Sequence, residues 1–239
     1  MATSARNQIL CIWSGIGFLV FYAIGWCLMA GFMPLPSPAM TADEVTRMFR
    51  DNGNMIRGGM FVAISASRLF APRSAVIFPH TRRVRQGTPA PRYAAMTSGV
   101  LNVIAFGLPA AIWCVVAFAV QYRPDAGVHF YQAFNDLGWL LFVLIYSPAA
   151  LQCVLIGIVG LQDRRERPVF PRWICFLQFW VALCYVPTGL DSFFIHGPIA
   201  WNGLFGLYLP LVAFGIWIFY MAFVLRRAVI EESTAAQRE

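Results

Sequence analysis

Long runs of apolar residues alternate along the chain with short segments rich in arginine and proline. A helix needs about 20 residues to cross a hydrocarbon core of about 30 Å. Six runs are long enough, at about 8–32, 54–72 or on to 79, 94–121, 134–161, 172–190 and 202–228. The pattern predicts an all-α fold, a six-helix transmembrane bundle that forms a single integral membrane domain over residues 1–239.

A short amphipathic helix is predicted between the first two runs. Residues 34–38, PLPSP, form a stiff extended stretch that cannot continue a helix. Thr41 and Glu44 have the spacing of a capping box, and Gly53 suits the end of a helix. Three apolar residues in between recur at helical spacing: Val45, Met48 and Phe49. We therefore expect a helix over 42–52 that lies on the outer surface of the membrane.

The composition excludes a water-soluble protein. Hydrophobic residues make up 59% of the chain and charged residues 12%, and the mean hydropathy is +0.63. A soluble domain has about 25% charged residues. The six cysteines fall inside apolar runs and never form a C-x-x-C pair, which is typical of small buried side chains.

All 18 basic residues are arginines, and their distribution predicts the orientation of the helices. Thirteen lie on the side of the termini: Arg6, Arg73, Arg82, Arg83, Arg85, Arg92, Arg164, Arg165, Arg167, Arg172, Arg226, Arg227 and Arg238. Four lie on the opposite side: Arg47, Arg50, Arg57 and Arg123. Because arginine-rich loops stay in the cytoplasm, both termini are predicted to be cytoplasmic. The arginines do not follow one helix face, so nucleic acid is not an expected partner.

Polar residues inside the apolar runs need a separate explanation. If the second helix runs to 79, Arg68 lies near the middle of the bilayer and needs a partner. If that helix ends before Pro72, the Arg68 side chain reaches the cytoplasmic interface. Three uncharged residues would be explained either by hydrogen bonds between helices or by a polar cavity: Asn102, Gln152 and Gln178.

Another polar group gathers where the helices reach the outer side. Asp136, Asp191 and His196 are the candidate catalytic residues, because carboxylates and an imidazole at one depth suit general acid–base chemistry. The candidate ligand-binding residues at this depth are Arg57, Asn54, Trp139, Trp201 and Asn202.

A structural explanation of the same residues remains open. Asn135, Asp136 and Asn202 would each satisfy backbone N–H groups at the start of a helix. Asp191 lies near a predicted helix C-terminus, where a carboxylate is disfavoured. We therefore expect a cationic partner for Asp191, either Arg57 or His196.

Several kinds of chemistry are excluded by missing residues. A chain without lysine cannot form a Schiff base with a cofactor or substrate. The three histidines are not spaced as ligands of a di-iron centre, and none forms an H-E-x-x-H motif. No metal ion and no cofactor is predicted.

Four short motifs carry a resemblance to known proteins: PLPSP at 34–38, NDLGW at 135–139, FPRW at 170–173 and GPIAWNG at 197–203. The combination resembles a group of bacterial multi-pass membrane proteins of similar length with no established activity. The resemblance implies six spans and, together with the arginine asymmetry, the bacterial inner membrane. It implies no catalytic residue.

Three functions remain open at this point. The first is a non-enzymatic protein that binds, or helps to move, an apolar small molecule, which would require an aromatic cavity with a few polar anchors. The second is a small enzyme that acts on a lipid-soluble substrate at the outer polar pocket. The third is a subunit of a membrane complex, with a face of small residues such as Gly15, Gly17 and Gly25, or Gly157 and Gly160. The expected partners are the lipid bilayer, an apolar ligand or another membrane protein.

Overall fold

The computed structural model describes residues 3–82, 84, 89–166 and 168–235. Within these residues all regular structure is helical, and six segments are long and apolar enough to cross a membrane. In order, the spans are Ala5–Met29, Ala42–Arg82, Ala90–Tyr122, Val128–Leu161, Arg172–Phe193 and Leu204–Thr234. The predicted six-helix fold is confirmed. Four of the arginines counted above, Arg83, Arg85, Arg167 and Arg238, lie outside the described residues.

The spans are built from α-helices with short π- and 3₁₀-helical extensions. The α-helices are α1 (Thr3–Ala23), α2 (Ala42–Ser67), α3 (Phe70–Arg82), α4 (Ala90–Tyr122), α5 (Val128–Leu144), α6 (Ser147–Leu161), α7 (Arg172–Tyr185) and α8 (Leu209–Ala235). The extensions are the π-helical turns Ile24–Met29 and Leu204–Tyr208 and the 3₁₀ segment Val186–Phe193.

Each span packs against the next span in the chain, and the sixth packs back against the first. Short connections favour such neighbours, and the result is a ring of six spans around a common interior. α1 begins and α8 ends at the same end of the ring, which we call the terminal end. The other end, called the distal end, corresponds to the predicted outer side.

The predicted helix over 42–52 is present, but it forms the first turns of α2 and is not a separate surface helix. The capping box exists as predicted: Glu44 N donates to Thr41 Oγ1 and Thr41 N donates to the Glu44 carboxylate at 2.8 Å. Gly53, expected to end the helix, lies inside it. The helix continues because its apolar face, which includes the buried Phe49, packs into the core of the bundle.

The second span is interrupted at Arg68 and Leu69, between α2 and α3. It resumes because Pro72 lies in the first turn of α3, where proline is tolerated. The Leu69 carbonyl accepts a hydrogen bond from Ser14 Oγ of α1 at 2.8 Å, which places the interruption near the middle of the bundle. The helical segment continues to Arg82, as in the longer of the two alternatives. The Arg68 side chain is exposed and donates to Ile64 O at 3.0 Å.

The fourth span begins at Val128, earlier than the predicted start at 134. Asn135 and Asp136 therefore lie inside α5 and do not cap its N-terminus. Asn202 does not cap the sixth span either, because the N-cap there is Gly203. The capping hypothesis was wrong for all three residues. The fourth span is also interrupted, between α5 and α6.

Glycines bring the spans of this chain close together. A Cβ on Gly25 would lie 2.4 Å from a backbone oxygen of α2, so the first and second spans meet backbone to backbone. Gly15 faces the Arg73 side chain, and Gly157 and Gly160 face the fifth span and the loop before it. The residues that suggested a partner subunit are thus used inside the chain.

Asp163 holds the loop that follows α6. Its buried carboxylate accepts hydrogen bonds from Arg165 Nε and Nη2 at 2.8 and 2.6 Å and from Val169 N at 3.0 Å. Burial raises the pKa of Asp163, but these hydrogen bonds outweigh burial and hold the pKa below its usual value. Asp163 is a structural charge whose partners are all in place.

Candidate functional site

Phenylalanines from five of the six spans meet near the middle of the bundle. The ring centroid of Phe18 lies 4.9 Å from that of Phe106 and 6.0 Å from that of Phe214. This phenylalanine cluster consists of Phe18, Phe70, Phe106, Phe142 and Phe214. Because each ring comes from a different span, the cluster exists only when the ring of helices has closed.

Two neighbouring cavities lie along the phenylalanine cluster. The larger, about 240 Å³, lies between the first, third, fourth and sixth spans. The smaller, about 60 Å³, extends to the fifth span. They share four wall residues: Phe106, Phe142, Leu211 and Phe214. We call them the larger and the smaller part of the aromatic cavity.

Four polar side chains line the smaller part of the aromatic cavity: Asn102, Tyr146, Tyr185 and Thr188. The lining of the larger part includes Tyr22, Trp26 and Cys27, and the Tyr22 hydroxyl donates to Phe106 O at 3.1 Å. Thr188 Oγ1 donates to Tyr185 O at 2.7 Å. The buried Tyr185 hydroxyl has no hydrogen-bond partner among the residues that the structure describes. The cavity therefore combines apolar walls with an unpartnered hydroxyl at one end, as ligand pockets commonly do.

Arg73 lies beside this polar end, although its position in the sequence suggested a cytoplasmic loop. Only 2% of the residue is exposed. Its guanidinium carbon lies 4.1 Å from the ring centroid of Trp217 and 5.0 Å from that of Phe70. The charge also interacts with the Tyr185 hydroxyl and the Cys153 thiol. In the described part of the chain, no group accepts a hydrogen bond from Nη1 or Nη2.

Two more buried polar groups lie without partners near α4. Ser74 Oγ and Gln152 Nε2 both lie within 2.6 Å of the point that a Cβ on Gly99 would occupy. Neither atom has a hydrogen-bond partner in the described ranges. Buried polar groups normally have partners, so several unsatisfied groups in one region are typical of a binding site rather than of a plain core.

The polar residues predicted inside the apolar runs hydrogen-bond between spans. Asn102 Nδ2 donates to Gln152 Oε1 at 3.5 Å, and Gln178 Oε1 accepts from Trp217 Nε1 at 2.6 Å. Asn102 also lines the aromatic cavity. Both explanations offered for these residues therefore apply.

Tryptophans form a second aromatic group, toward the distal end. This tryptophan cluster consists of Trp26, Phe32, Trp113, Trp139 and Trp201. Trp139 is fully buried, with its ring centroid 4.8 Å from that of Trp113 and 6.1 Å from that of Trp201. Trp201 Nε1 donates to Pro36 O at 2.9 Å, which attaches the proline-rich segment to the bundle. Two predicted ligand-binding residues, Trp139 and Trp201, are thus brought together.

The other predicted ligand-binding residues lie elsewhere. The Arg57 guanidinium donates to Asn54 Oδ1 and Gln121 Oε1 and lies 5.3 Å from the ring centroid of Tyr122. Asn202 is half-buried in the turn before the sixth span. These residues do not line the aromatic cavity.

The three candidate catalytic residues are not joined by a direct hydrogen bond or ion pair in the part of the chain described. Asp136 is half-buried and accepts a hydrogen bond from Asn135 at 3.3 Å. Asp191 is 1% exposed, and its oxygens have no partner within the described residues. His196 is exposed. The cationic partner expected for Asp191 is absent from these residues, because Arg57 is held by the third span instead.

Sequence analysis missed Arg73 and Tyr185 as site residues. The signal for Arg73 was the apolar segment 75–78, which indicates that the helix continues past Pro72. The signal for Tyr185 was the regular spacing of three residues from Tyr185 to Thr188 and from Thr188 to Asp191. Residues three apart lie on one face of a 3₁₀ helix, and this face is buried.

The fold and the cavity together define a multi-pass α-helical membrane protein with an aromatic interior cavity that is polar at one end. In comparisons with known proteins, no family model, no curated protein and no solved structure matches the chain.

Proposed function

We propose that the protein binds an apolar small molecule in the aromatic cavity and helps to move it within the membrane. The observation that carries this proposal is the cavity itself, whose walls are largely aromatic and aliphatic and whose smaller part is lined by Tyr185, with a hydroxyl that has no partner among the described residues. Such a site fixes the orientation of a largely apolar ligand through a few polar contacts.

The position of the larger part of the cavity supports access from the lipid. Leu19 and Ala23 of α1 line it on one side, and Leu211 of α8 lines it on the other. Ala23 is exposed on the outer surface of the bundle. A ligand dissolved in the bilayer would reach the cavity between the first and sixth spans without passing through water.

The interruptions of two spans support a role in movement. The second span is broken at Arg68 and Leu69, and the fourth at Ile145 and Tyr146. Ile145 and Tyr146 also line the cavity. Discontinuous helices next to a central site are common in transporters, where the broken halves adjust around the bound substrate.

The proposed location is a cell membrane, the bacterial inner membrane, with both termini in the cytoplasm. The arginine asymmetry supports this orientation. Arg73 is buried in the bundle and no longer counts as a loop residue. Thirteen minus one leaves twelve arginines on the terminal side, against four on the other.

The test is mass spectrometry of organic extracts from the purified protein in detergent, compared with variants that fill the cavity. Ala105→Phe and Ala149→Phe each add a ring to a small, buried residue that lines the smaller part of the cavity. Leu108→Phe is the matched control, because Leu108 lies on α4 but is 42% exposed on the outside.

We expect one apolar compound to be enriched with the native protein and with Leu108→Phe, and to be lost from both cavity-filling variants. Retention of the compound by both folded filling variants would overturn the proposal. Bulk lipid alone in every sample would overturn it as well.

A further inference from the structure

The interior of the bundle contains a positive charge that no anion of the described residues neutralises. Arg73 is nine-tenths or more buried, and in the described ranges its Nη1 and Nη2 atoms have no acceptor. Two ion pairs of those ranges, Arg165 with Asp163 and Arg227 with Glu231, lie at the terminal end and do not involve Arg73. The rings of Trp217 and Phe70 attract the guanidinium but do not cancel its charge.

An uncompensated arginine in a membrane interior is costly, and by default it indicates a function with an anionic or polar partner. The partner of Arg73 has to come from outside the described residues. One aromatic ring separates Arg73 from the lining of the aromatic cavity: its guanidinium carbon lies 5.0 Å from the ring centroid of Phe70, which lies 6.0 Å from that of the cavity-lining Phe214. Tyr185 also lines the cavity, and its hydroxyl lacks a hydrogen-bond partner among the described residues.

The chemistry of this end of the cavity selects the head group. Tyr185 can donate a hydrogen bond, and the nearby charge of Arg73 makes the electrostatic potential at this end of the cavity more positive. A negatively charged acceptor gains binding free energy from the hydrogen bond and from the positive potential. A neutral hydroxyl gains only from the hydrogen bond. An ammonium group is repelled.

We infer that the ligand of the aromatic cavity is an apolar chain that ends in a carboxylate, which accepts a hydrogen bond from Tyr185 and is attracted by Arg73. This inference rests on the function proposed above. The hydrocarbon part lies along the phenylalanine cluster, and the carboxylate lies at the smaller, polar part of the cavity.

The test is binding of radiolabelled octanoate, 1-octanol and octylamine to the protein in lipid nanodiscs. The three probes share one apolar chain and differ in the head group. Ala105→Phe gives the background from partitioning into lipid. The variants are Arg73→Gln and Tyr185→Phe, with Arg68→Gln as the matched control, because Arg68 lies on the same span but is exposed.

We expect octanoate to bind at least about tenfold more tightly than 1-octanol, and octylamine to bind least. Arg73→Gln removes the preference for octanoate, Tyr185→Phe weakens octanoate binding several-fold, and Arg68→Gln changes neither. Tyr185→Phe removes a single oxygen atom. If Arg73→Gln does not fold, the effect of Tyr185→Phe on octanoate binding still tests the carboxylate assignment.

Two outcomes would contradict the inference, and they are distinguishable. If native protein binds octanoate and 1-octanol equally well above background, or if Arg73→Gln or Tyr185→Phe keeps the full preference, the cavity binds apolar chains but the carboxylate assignment fails. If none of the three probes exceeds the Ala105→Phe background, the proposed function fails together with the inference.

Discussion

The tryptophan cluster and the phenylalanine cluster are both groups of aromatic rings between spans, yet they have different roles. The rings of the tryptophan cluster pack on one another and hold the proline-rich segment through Trp201. The phenylalanine cluster borders a cavity that ends at unpartnered polar groups. The comparison shows that aromatic residues alone do not identify a ligand-binding site. Buried polar atoms do not distinguish the two clusters, because Nε1 of Trp26, Trp113 and Trp139 also lacks a partner among the described residues. The distinguishing feature is space next to the rings, since four of the five phenylalanines line the cavity but only Trp26 of the tryptophan cluster does.

The largest effect is expected from Trp139→Ala. Trp139 is fully buried, so its truncation leaves a void among the surrounding rings. We expect a loss of about 3–5 kcal/mol in the free energy of unfolding, measured by denaturant titration in detergent. Octanoate binding per folded molecule should stay unchanged. If folded Trp139→Ala lost ligand binding, Trp139 would be a ligand-binding residue. The two clusters would then not have separate roles.

A smaller loss is expected from Gly138→Ala in the same cluster. The added Cβ would lie 2.7 Å from Trp113 Nε1, so the indole has to shift in a packed environment. Overpacking of this kind costs about 1–3 kcal/mol. Gly53→Ala is the control, because its Cβ would meet nothing within 4 Å in the interior of α2. We expect Gly53→Ala to be neutral or to gain up to about 1 kcal/mol. Equal stabilities for the two variants would show that the tryptophan cluster is loosely packed.

The smallest effect, of opposite sign, is expected from Arg73→Met. This variant removes a buried, unpaired charge and keeps an apolar chain of similar length. The gain from losing that charge exceeds the lost attraction to Trp217 and Phe70, so ligand-free protein should gain about 1 kcal/mol in unfolding free energy. Octanoate should then raise the melting temperature of native protein but not of Arg73→Met. Marked destabilisation of ligand-free Arg73→Met would show that Arg73 is a structural residue.

Much of the fold was predictable because each membrane span corresponds to a long apolar run in the local sequence. The run after Gly203 predicts the sixth span whatever it packs against. The errors occur where local signals compete with packing. Pro72 suggests a helix end, but it lies in the first turn of α3. Gly53 suits a helix end, but the burial of Phe49 carries α2 through it.

The candidate site was much less predictable because it depends on contacts between distant residues. Phe18, Phe106 and Phe214 are ordinary apolar residues until the ring of spans brings them together. In the sequence, Arg73 resembles Arg82, a basic residue that indicates the cytoplasmic side of the membrane. Only its burial beside Trp217 and Tyr185 makes it a candidate. The predicted cavity with polar anchors therefore corresponds to the cavity in the interior of the bundle, which Asn54, Arg57 and Asn202 of the outer side do not line.

The most direct test of the central claim is photolabelling of the protein in lipid nanodiscs with an alkyl carboxylic acid that carries a diazirine near its chain end. Labelled residues are mapped by peptide mass spectrometry, with excess octanoate as competitor. We expect competed labelling on the cavity walls, at or next to Phe106 of α4 and Phe214 of α8. Labelling confined to lipid-facing residues such as Leu108, with no effect of octanoate, would contradict it.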